Sequence, residues 1–430
     1  MKDNSTDKTT HIVRQAHQAF VQMSNIKGVE RSHAVLLMAT KLEECLDDIL
    51  QANTLDLEIS KEMAVPDLIL EWLKLTPQRL QTSIEILKTL AELPDPFQKV
   101  INSPYQVTYC QNYSQLMPLG VIAFIYEALP ELAIITAGLA TKTGNSLILR
   151  GSSDASNTNT IITQVLQVAL EDANFPSGCL QFLPSEEGYS IEDLVTLDQY
   201  INLIIPYGRP SLIQKVTQLA TAPVLKSAIA NCGLYWSSSS DLDLVRHVII
   251  DSYKSIPDRV NAIEKVLINK NHSSNSIVRL FNHLKEQKLN LLGDESLVAE
   301  FPDYLTLAKP YHWQQPLFNH RIAFRIVDDL DSAITWMNEY SSGHANCIVT
   351  DSYQEGRTFA MEIDSALVYV NSSPRFYRYL PGSNSVFLGI SSQKGHRRGL
   401  ISLETFTTQK QIVMGNAETS PISYGIGDGE

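Results

Sequence analysis

The chain has little cysteine and no long apolar run. Five cysteines occur, none of them in a CxxC pair: Cys45, Cys110, Cys179, Cys232 and Cys347. This scatter is typical of a reducing compartment rather than of a disulfide framework. Glu127 and Glu131 interrupt the most apolar region, so no stretch of about 18 apolar residues exists, and the first residues lack the apolar core of a signal peptide. These absences predict a cytoplasmic protein with no membrane partner.

Positive charge is also scarce. The 34 lysines and arginines are outnumbered by 47 aspartates and glutamates, which gives a formal net charge of −13. This balance argues against nucleic acid or an anionic membrane as a main partner. The ten histidines are dispersed and form no HxxxH or similar pair, so the sequence predicts no metal site.

Neither a G-x-G-x-x-G fingerprint nor a Walker A loop is present. What the sequence does have is a globular composition, 44% hydrophobic and 19% charged, far from the disordered regime. A length of 430 residues predicts two or three domains.

The first hundred residues have a helical pattern. "RSHAVLLMATKLEECLDDILQAN" places apolar residues at spacings of three and four, which predicts one amphipathic helix. "TPQRLQTSIEILKTLAEL" predicts another, with Thr76 as N-cap and Pro77 at the first helical position. A lone strand, "PYQVTYCQN", follows.

From residue 118 onward, apolar strands alternate with helices. "GVIAFIYE", "SLILRG", "CLQFL" and "INLIIPYG" are strand candidates separated by helical segments, and a second α/β stretch continues to about residue 371. This alternation predicts a parallel sheet covered on both faces. Such sheets bind ligands at the carboxyl ends of their strands, here "FIYEALP", "LRGSSDA" and "IPYGRP". Farther along, "SYKSIPDRVNAIEKVLIN" predicts a polar turn that enters a helix at "NAIEKVL".

Two of these strand ends have residues suited to an anion. In "LRGSSDA", backbone N–H groups and hydroxyls are suited to bind a phosphate. The alternative is an ordinary Gly-Ser turn that binds no ligand. In "IPYGRPSL", Gly208 allows close backbone approach and Arg209 has the charge to pair with a phosphate. The alternative for Arg209 is a solvated side chain in an ordinary strand-to-helix turn.

The ordered series of segments resembles γ-glutamyl phosphate reductase (glutamate-5-semialdehyde dehydrogenase), a family of the aldehyde dehydrogenase superfamily. The matching segments include "PLGVIAFIYEALP", "KTGNSLILRGSSDA", "LIIPYGRPSLI", "PVLKSAIANCGLY", "DSALVYVNSSPRF" and "GISSQKGHRRGLISLETFT". Together with the helical N-terminal third they cover roughly residues 15–416.

The resemblance implies an α/β, aldehyde dehydrogenase-like fold and a homodimer or higher homo-oligomer. It implies a Rossmann-type parallel-sheet cofactor domain, an α/β catalytic domain, a small β oligomerisation flap and a flexible tail. The expected boundaries are 1–103 and 117–236 (with part of 372–396) for the cofactor domain, 237–371 for the catalytic domain, 104–116 and 397–416 for the flap, and 417–430 for the tail.

The implied activity is NADPH-dependent reduction of L-glutamyl 5-phosphate to L-glutamate 5-semialdehyde in proline biosynthesis. In that reaction a cysteine attacks the acyl phosphate, and the thioester accepts hydride from the nicotinamide. Pro257, Asn261, Ala262 and Glu264 match the family's acyl-site pattern, but the nucleophile position holds Val260. Valine has no lone pair to donate, so no thioester can form there.

The resemblance also assigns the remaining site residues. Those assigned to binding of NADPH or NADP are Arg150, Gly151, Ser152, Ser153, Pro206 and Gly208. Those assigned to the pocket for the small-molecule substrate are Glu127, Asn371 and Arg375. No catalytic residue is intact: the nucleophile position is Val260, its neighbour is Asn261, and Cys232 is the alternative thiol.

Further positions depart from the family pattern. Asp258 and Arg259 replace small residues, and Ser255 and Ile256 replace a Gln-Arg pair. Two substrate-side arginines are thus missing, because Leu129 also stands in place of an arginine. Pro381 and Gly382 lie where a Glu-Phe pair of the cofactor loop is expected. The added Arg378 is expected in a solvated loop.

Three hypotheses follow from these departures. The chain is a working reductase that uses Cys232 or direct hydride transfer, a non-catalytic nucleotide- or metabolite-binding homologue, or an enzyme repurposed for another substrate. Losing several reaction-specific side chains favours a degenerate member with weak or no reductase activity.

Overall fold

The computed structural model describes residues 2–102, 110–185, 188–255, 257–395 and 397–415. Its α-helices are α1 (Lys2–Met23), α2 (Gly28–Glu44), α3 (Leu46–Glu62), α4 (Asp67–Leu73), α5 (Pro77–Glu92), α6 (Glu131–Lys142), α7 (Ser156–Asp172), α8 (Ile191–Val195), α9 (Pro210–Leu219), α10 (Leu242–Ser252), α11 (Ser274–Glu286), α12 (Glu295–Glu300), α13 (Pro310–Gln314), α14 (Leu330–Tyr340) and α15 (Tyr353–Glu362). Ile256, most of the expected flap strand at 104–109 and the expected tail lie outside the described residues.

The strands follow the same chain order. They are β1 (Val100–Asn102), β2 (Cys110–Pro118), β3 (Val121–Tyr126), β4 (Ser146–Arg150), β5 (Leu180–Phe182), β6 (Ile201–Tyr207), β7 (Ser227–Ala228), β8 (Cys232–Trp236), β9 (Ile263–Asn269), β10 (Asn290–Gly293), β11 (Thr306–Leu307), β12 (Arg321–Val327), β13 (Ala345–Val349), β14 (Leu367–Val370), β15 (Gly389–Ser391), β16 (Gly399–Ile401) and β17 (Thr407–Gly415).

The N-terminal helices form a layer on the first sheet. The Thr76 side chain accepts a hydrogen bond from the Arg79 backbone N–H at 3.2 Å, which confirms the predicted N-cap of α5. The prediction of one helix over "RSHAVLLMATKLEECLDDILQAN" is wrong, because the chain breaks at Cys45 into α2 and α3. The break lets both helices pack against α7.

A four-stranded parallel sheet, in the order β5-β4-β3-β6, forms the first α/β unit. Alternate residues of β3 pack into apolar clusters on opposite faces of the sheet. Ile122 and Phe124 pack into the cluster with the N-terminal helices, while Val121 and Ala123 pack into the cluster on the other face. Burial on both faces explains the continuous apolar sequence of this strand and confirms the predicted parallel sheet.

A seven-stranded parallel sheet, in the order β11-β10-β12-β9-β8-β13-β14, forms the second unit. It already includes β8, Cys232–Trp236, which the expected boundary at residue 237 assigned to the cofactor domain. The predicted helix at "NAIEKVL" is wrong, because these residues lead into β9. All of Ile263–Asn269 is buried in the middle of the sheet, where Glu264 and Lys265 are held by hydrogen bonds that the sequence does not reveal.

Two small antiparallel sheets complete the fold. In one, β2 pairs with β17 from Cys110↔Gly415 to Pro118↔Thr407, so the expected pairing of these distant strands is present. In the other, β15 pairs with β7 and brings residues 389–391 beside residues 227–228. Among the described residues no helix is long and apolar enough to cross a membrane, and no cluster of three metal-ligand side chains is present.

Candidate functional site

The junction between α10 and β9, residues 257–262, lies at the amino end of the central strand of the larger sheet. Val260 is fully buried there, and its side chain packs with Phe376 and Ile390. Its carbonyl oxygen accepts hydrogen bonds from the Ala230 backbone N–H at 2.7 Å and from Nε2 of His344 at 3.0 Å. The position expected for a nucleophile is therefore a packed apolar position.

Beside Val260, three side chains form a buried polar cluster. Nη2 of Arg378 donates to Asp258 Oδ2 at 2.6 Å and to the Tyr207 hydroxyl at 2.7 Å, and that hydroxyl also bonds Asp258 Oδ2. The expectation that Arg378 lies in a solvated loop is wrong, because the opposite charge of Asp258 draws it inward to 12% side-chain exposure. We call Tyr207, Asp258 and Arg378 the junction cluster.

Asp258 and Arg378 each stabilise the charged form of the other. Burial raises the pKa of Asp258, but the charge of Arg378 and its hydrogen bonds outweigh burial and hold the pKa below its ordinary value. Burial lowers the pKa of Arg378, and Asp258 reverses that effect. Both side chains therefore remain ionised inside the protein.

Asn261 joins the junction to the loop after β14. Its Nδ2 donates to the Pro374 carbonyl at 2.7 Å, so this side chain holds backbone. Glu264 has a similar role, since its carboxylate accepts the backbone N–H groups of Asn231, Leu317 and Phe318 at 2.7–3.1 Å.

His344 is a further residue of the junction that the sequence did not single out. The Ser342 hydroxyl donates to its Nδ1, and its Nε2 donates to the Val260 carbonyl. Burial lowers the pKa of His344 to about 4, so the neutral ring holds the backbone at residue 260. A lone histidine in "SSGHAN" carries no spacing signal that would have revealed this contact.

The loop predicted to bind phosphate is filled by the protein's own groups. A Cβ on Gly151 would lie 2.1 Å from Nδ2 of Asn159, and the Ser152 hydroxyl accepts the Ala128 N–H at 3.3 Å. At the start of α7 the Asp56 carboxylate accepts the N–H groups of residues 157 and 158 at 3.1 and 2.8 Å. An acidic side chain thus occupies the end of the helix that would attract an anion.

The guanidinium of Arg150 is likewise held by the protein's own backbone carbonyl groups, one of them in that loop. Its Nη2 donates to the Tyr189 carbonyl at 3.3 Å and its Nη1 to the Gly151 carbonyl, while burial lowers its pKa. Pro206 lies within β6, where its carbonyl accepts the Ser227 hydroxyl at 2.7 Å. The structure does not bring Arg150 and Pro206 to a common cavity.

Gly208, Arg209 and Glu127 meet at the carboxyl end of β6. Arg209 donates to Glu127 through its backbone N–H at 2.8 Å and through Nη2 at 2.9 Å, so its charge is already paired. Gly208 has φ +151°, and a Cβ there would lie 2.7 Å from Oε2 of Glu127. Only glycine lets these two strand ends approach so closely.

Two of the cavities near the junction are large enough to hold a small molecule. The first, of about 490 Å³, is the helix cavity. It is lined by Gly208, by α9 and by β7 with the residues on either side of it, including Ile213, Gln214, Lys226 and Asn231. Its lining contains one cation and no carboxylate, so its donors suit an anionic nucleotide such as NADPH or NADP.

The second cavity, of about 330 Å³, is the loop cavity. It lies between α5, α6 and the loop after β14, and its charged lining residues are Arg79, Glu131, Lys254, Arg375 and Arg378. Most of these charges are paired: Arg79 with Glu131, Arg378 with Asp258, and Lys254 with Asp251 at 3.2 Å.

Of the three residues expected in the substrate pocket, only Arg375 lines the loop cavity. Its guanidinium stacks on Tyr377 and lies 3.5 Å from Asp251. Asn371 instead bonds both backbone groups of Thr350, at 2.9 and 2.7 Å. Glu127 faces Arg209.

Cys232, the alternative thiol, lies in the core of the larger sheet. It is fully buried, and its sulfur is 3.9 Å from that of Cys347 on the neighbouring strand. It lines neither the helix cavity nor the loop cavity. The structure therefore does not support Cys232 as a replacement nucleophile.

The fold has two parallel α/β units, an antiparallel sheet of strands that are distant in sequence, and a junction loop between two cavities. This architecture is that of an aldehyde dehydrogenase-like protein. The aldehyde dehydrogenase family profile matches residues 1–234. The chain is 50% identical to gamma-glutamyl phosphate reductase 2 of Synechocystis over 97% of this chain and 99% of that protein. It is 33% identical to the gamma-glutamyl phosphate reductase of Gloeobacter violaceus over 97% of this chain and all of that protein.

The crystal structure of the Thermotoga maritima gamma-glutamyl phosphate reductase matches with a TM-score of 0.86 and 31% identity. That match covers 95% of this chain and 99% of the other. The chain belongs to the γ-glutamyl phosphate reductase family, within the aldehyde dehydrogenases.

Proposed function

We propose that this chain is a ligand-binding member of its family in which the covalent reductase route is closed. The family reaction is NADPH-dependent reduction of L-glutamyl 5-phosphate to L-glutamate 5-semialdehyde through a cysteine thioester. The observation that carries the proposal is Val260, which is fully buried at the expected nucleophile position. A side chain without a lone pair cannot attack an acyl phosphate.

The surroundings of Val260 support the same conclusion. Phe376 and Ile390 fill the space over its side chain, and the ion pair of Asp258 with Arg378 adds bulk where an acyl group is expected. Removing a nucleophile from a covalent mechanism typically costs several orders of magnitude in rate. Cys232 offers no replacement, because it lies inside the second sheet.

The helix cavity is the proposed nucleotide site. Lys226 and the close backbone approach at Gly208 would hold the phosphates of NADPH or NADP, whereas the 150–153 loop that the resemblance favoured is filled. When bound, the nicotinamide supplies a hydride. A bound small molecule in the loop cavity would meet Arg375 and Lys254.

The expected domain organisation, with β8 counted in the catalytic domain, and the expected oligomeric state remain part of the proposal. The β2–β17 sheet exposes Val100, Val413 and Met414, which suits an oligomerisation flap of a homodimer. A repurposed enzyme is a second candidate function, because the junction cluster introduces new buried charges where an acyl group is expected.

The test is NADPH oxidation with γ-glutamyl phosphate made in situ by a glutamate kinase, alongside a γ-glutamyl phosphate reductase that has its cysteine. We expect no turnover above background. Turnover close to that of the control enzyme, lost on Cys232→Ala, would overturn the proposal.

Nucleotide binding is measured separately by thermal unfolding. A ligand present at about a hundredfold its Kd adds about 2.7 kcal/mol of stability, which gives a clear upward shift with NADPH. The absence of any shift with millimolar NADPH or NADP would remove the nucleotide from the proposal.

A further inference from the structure

Two residues that depart from the expected family pattern contact each other. Asp258 stands where a small residue is expected, and Arg378 is an added charge 120 residues away in the sequence. The structure pairs them at 2.6 Å. Each charge compensates the other, and an unpaired buried charge would be strongly destabilising. The two residues therefore act as one structural element, the ion pair.

The ion pair and Tyr207, which together are the junction cluster, lie next to residues that line both cavities. Arg378 lines the loop cavity, whereas Tyr207 directly precedes Gly208, which lines the helix cavity. Asp258 lies between them and bonds both. The junction cluster thus lines the loop cavity through Arg378 and adjoins, through Tyr207, a residue that lines the helix cavity.

Val260 occupies the same dividing wall. On one side its side chain packs with Phe376, a lining residue of the loop cavity. On the other side its carbonyl accepts the N–H of Ala230, which lies between two lining residues of the helix cavity, Ile229 and Asn231. Val260 itself lines neither cavity. A hydride transfer would need these two spaces to be joined at residue 260.

We propose that Tyr207, Asp258 and Arg378 form a closed partition between the two cavities, which divides the former reaction chamber into two separate small-molecule sites. A nucleotide in the helix cavity and a ligand in the loop cavity then bind without touching. The inference rests on the proposed function in one respect, that ligands bind here without reacting with each other.

Hydrogen bonds and the ion pair within the junction cluster stabilise the closed partition. Arg378 is held from three directions: by Asp258, by the Tyr207 hydroxyl and by the Leu388 carbonyl at 3.2 Å. It also stacks near Phe376, with its guanidinium 5.5 Å from the ring centroid. Opening the wall would expose a buried ion pair and separate segments from both sheets and from the loop after β14.

The partition is tested by placing a thiol in the wall. Val260→Cys is treated with iodoacetamide, and the labelled site is quantified by peptide mass spectrometry because the chain has five other cysteines. We expect Cys at position 260 to label at least about tenfold more slowly than an exposed thiol, since Val260 is fully buried. Adding Asp258→Ser and Arg378→Ser together should raise the rate at least about tenfold.

A matched control removes an ion pair of similar length elsewhere. Lys270 and Asp328 are 3.0 Å apart and exposed, so Lys270→Ser with Asp328→Ser should leave the labelling rate unchanged. Rapid labelling of Val260→Cys in the intact cluster would overturn the partition. So would an unchanged rate in the double variant with native circular dichroism.

If the double serine variant does not fold, Tyr207→Phe provides the same test with the ion pair left intact. It removes the hydroxyl that bonds both Asp258 and Arg378, and the partition predicts faster labelling than in the unmodified cluster. A labelling rate equal to that of the unmodified cluster overturns it.

The two proposals fail in different ways. Rapid labelling without NADPH turnover contradicts only the partition, whereas turnover by the unmodified chain contradicts the proposed function.

Discussion

The Asp258 carboxylate lies 2.6 Å from the Arg378 guanidinium; Asp258 is fully buried, and the Arg378 side chain is 12% exposed. Oδ1 of Asp258 has no hydrogen-bond partner among the described residues, so Oδ2 makes both of its side-chain contacts. A buried pair of this kind does not automatically stabilise a fold, because desolvation opposes the attraction. Its removal therefore has effects that depend on which partner is removed.

We expect Asp258→Asn or Arg378→Met alone to lower the free energy of unfolding by about 3 to 5 kcal/mol, because each leaves an unpaired buried charge. The double variant should lose clearly less than the sum of the two. Urea unfolding of the four proteins in a double-mutant cycle measures the coupling. Additive losses would show that the two side chains do not interact in solution.

Glu264→Gln should loosen the backbone at Asn231, which lines the helix cavity, and at Leu317 and Phe318, which follow its lining residue Pro316. The carboxylate accepts three backbone N–H groups, and an amide cannot accept all three because its NH₂ group donates. We expect a loss of about 1 to 3 kcal/mol and faster hydrogen exchange at Leu317 and Phe318.

Glu300→Gln is the matched control for Glu264, because Glu300 lies on the surface and accepts one hydroxyl at 2.7 Å. It should change neither the stability nor the exchange rates. Unchanged exchange at residues 317 and 318 in Glu264→Gln would contradict the role assigned to Glu264.

The sequence predicted the sheets better than the junction. Continuous apolar strands such as β3 reveal burial on both faces, and Thr76 reveals the start of α5. At "NAIEKVL", however, the buried Glu264 and Lys265 mimic a helical pattern, since their partners lie far away in sequence. The prediction that Arg378 is solvated is wrong for the same reason. Nothing within the loop sequence indicates that a carboxylate 120 residues earlier pairs with it.

The phosphate site illustrates a second limit. "LRGSSDA" has the residue types of an anion site, yet Asp56 of α3 occupies the helix end and Asn159 faces Gly151. Only the packing of the N-terminal helices on α7 determines this. A local motif cannot predict which distant side chain fills it.

Acid should destabilise the protein through His344. Its folded-state pKa of about 4 is below the unfolded value of about 6.5, so the unfolded chain takes up the proton first. Stability is complete above about pH 6.5 and falls as the pH drops towards 4. Between about pH 7.5 and 5.5 the loss from this group is about 1 kcal/mol.

Urea unfolding of the unmodified chain and of His344→Gln at both pH values measures this contribution. The two proteins differ only at residue 344, so the difference isolates His344. The variant should be less stable at neutral pH but should lose less on acidification. Equal pH dependence would show that His344 is accessible to protons in the folded protein.

Gly208→Ala should disturb the mouth of the helix cavity. Its φ of +151° strains any other residue, and the new Cβ would meet Oε2 of Glu127 at 2.7 Å. Gly382→Ala is a matched control, with φ +82° and nothing within 4 Å. We expect Gly208→Ala to cost about 1 to 3 kcal/mol, more than the control, and to reduce the thermal shift with NADPH. Equal effects of the two substitutions would mean that the contact with Glu127 is unimportant.

Restoring the thiol alone should not restore the family reaction. Cys in place of Val260 would remain under Phe376 and Ile390, and burial in apolar surroundings would raise the pKa of the thiol and oppose the thiolate that must attack. We therefore expect Val260→Cys to give no NADPH oxidation with γ-glutamyl phosphate above the unmodified chain. Turnover by this single variant would show that the wall opens readily to the acyl phosphate and that the missing sulfur was the whole barrier to the reaction.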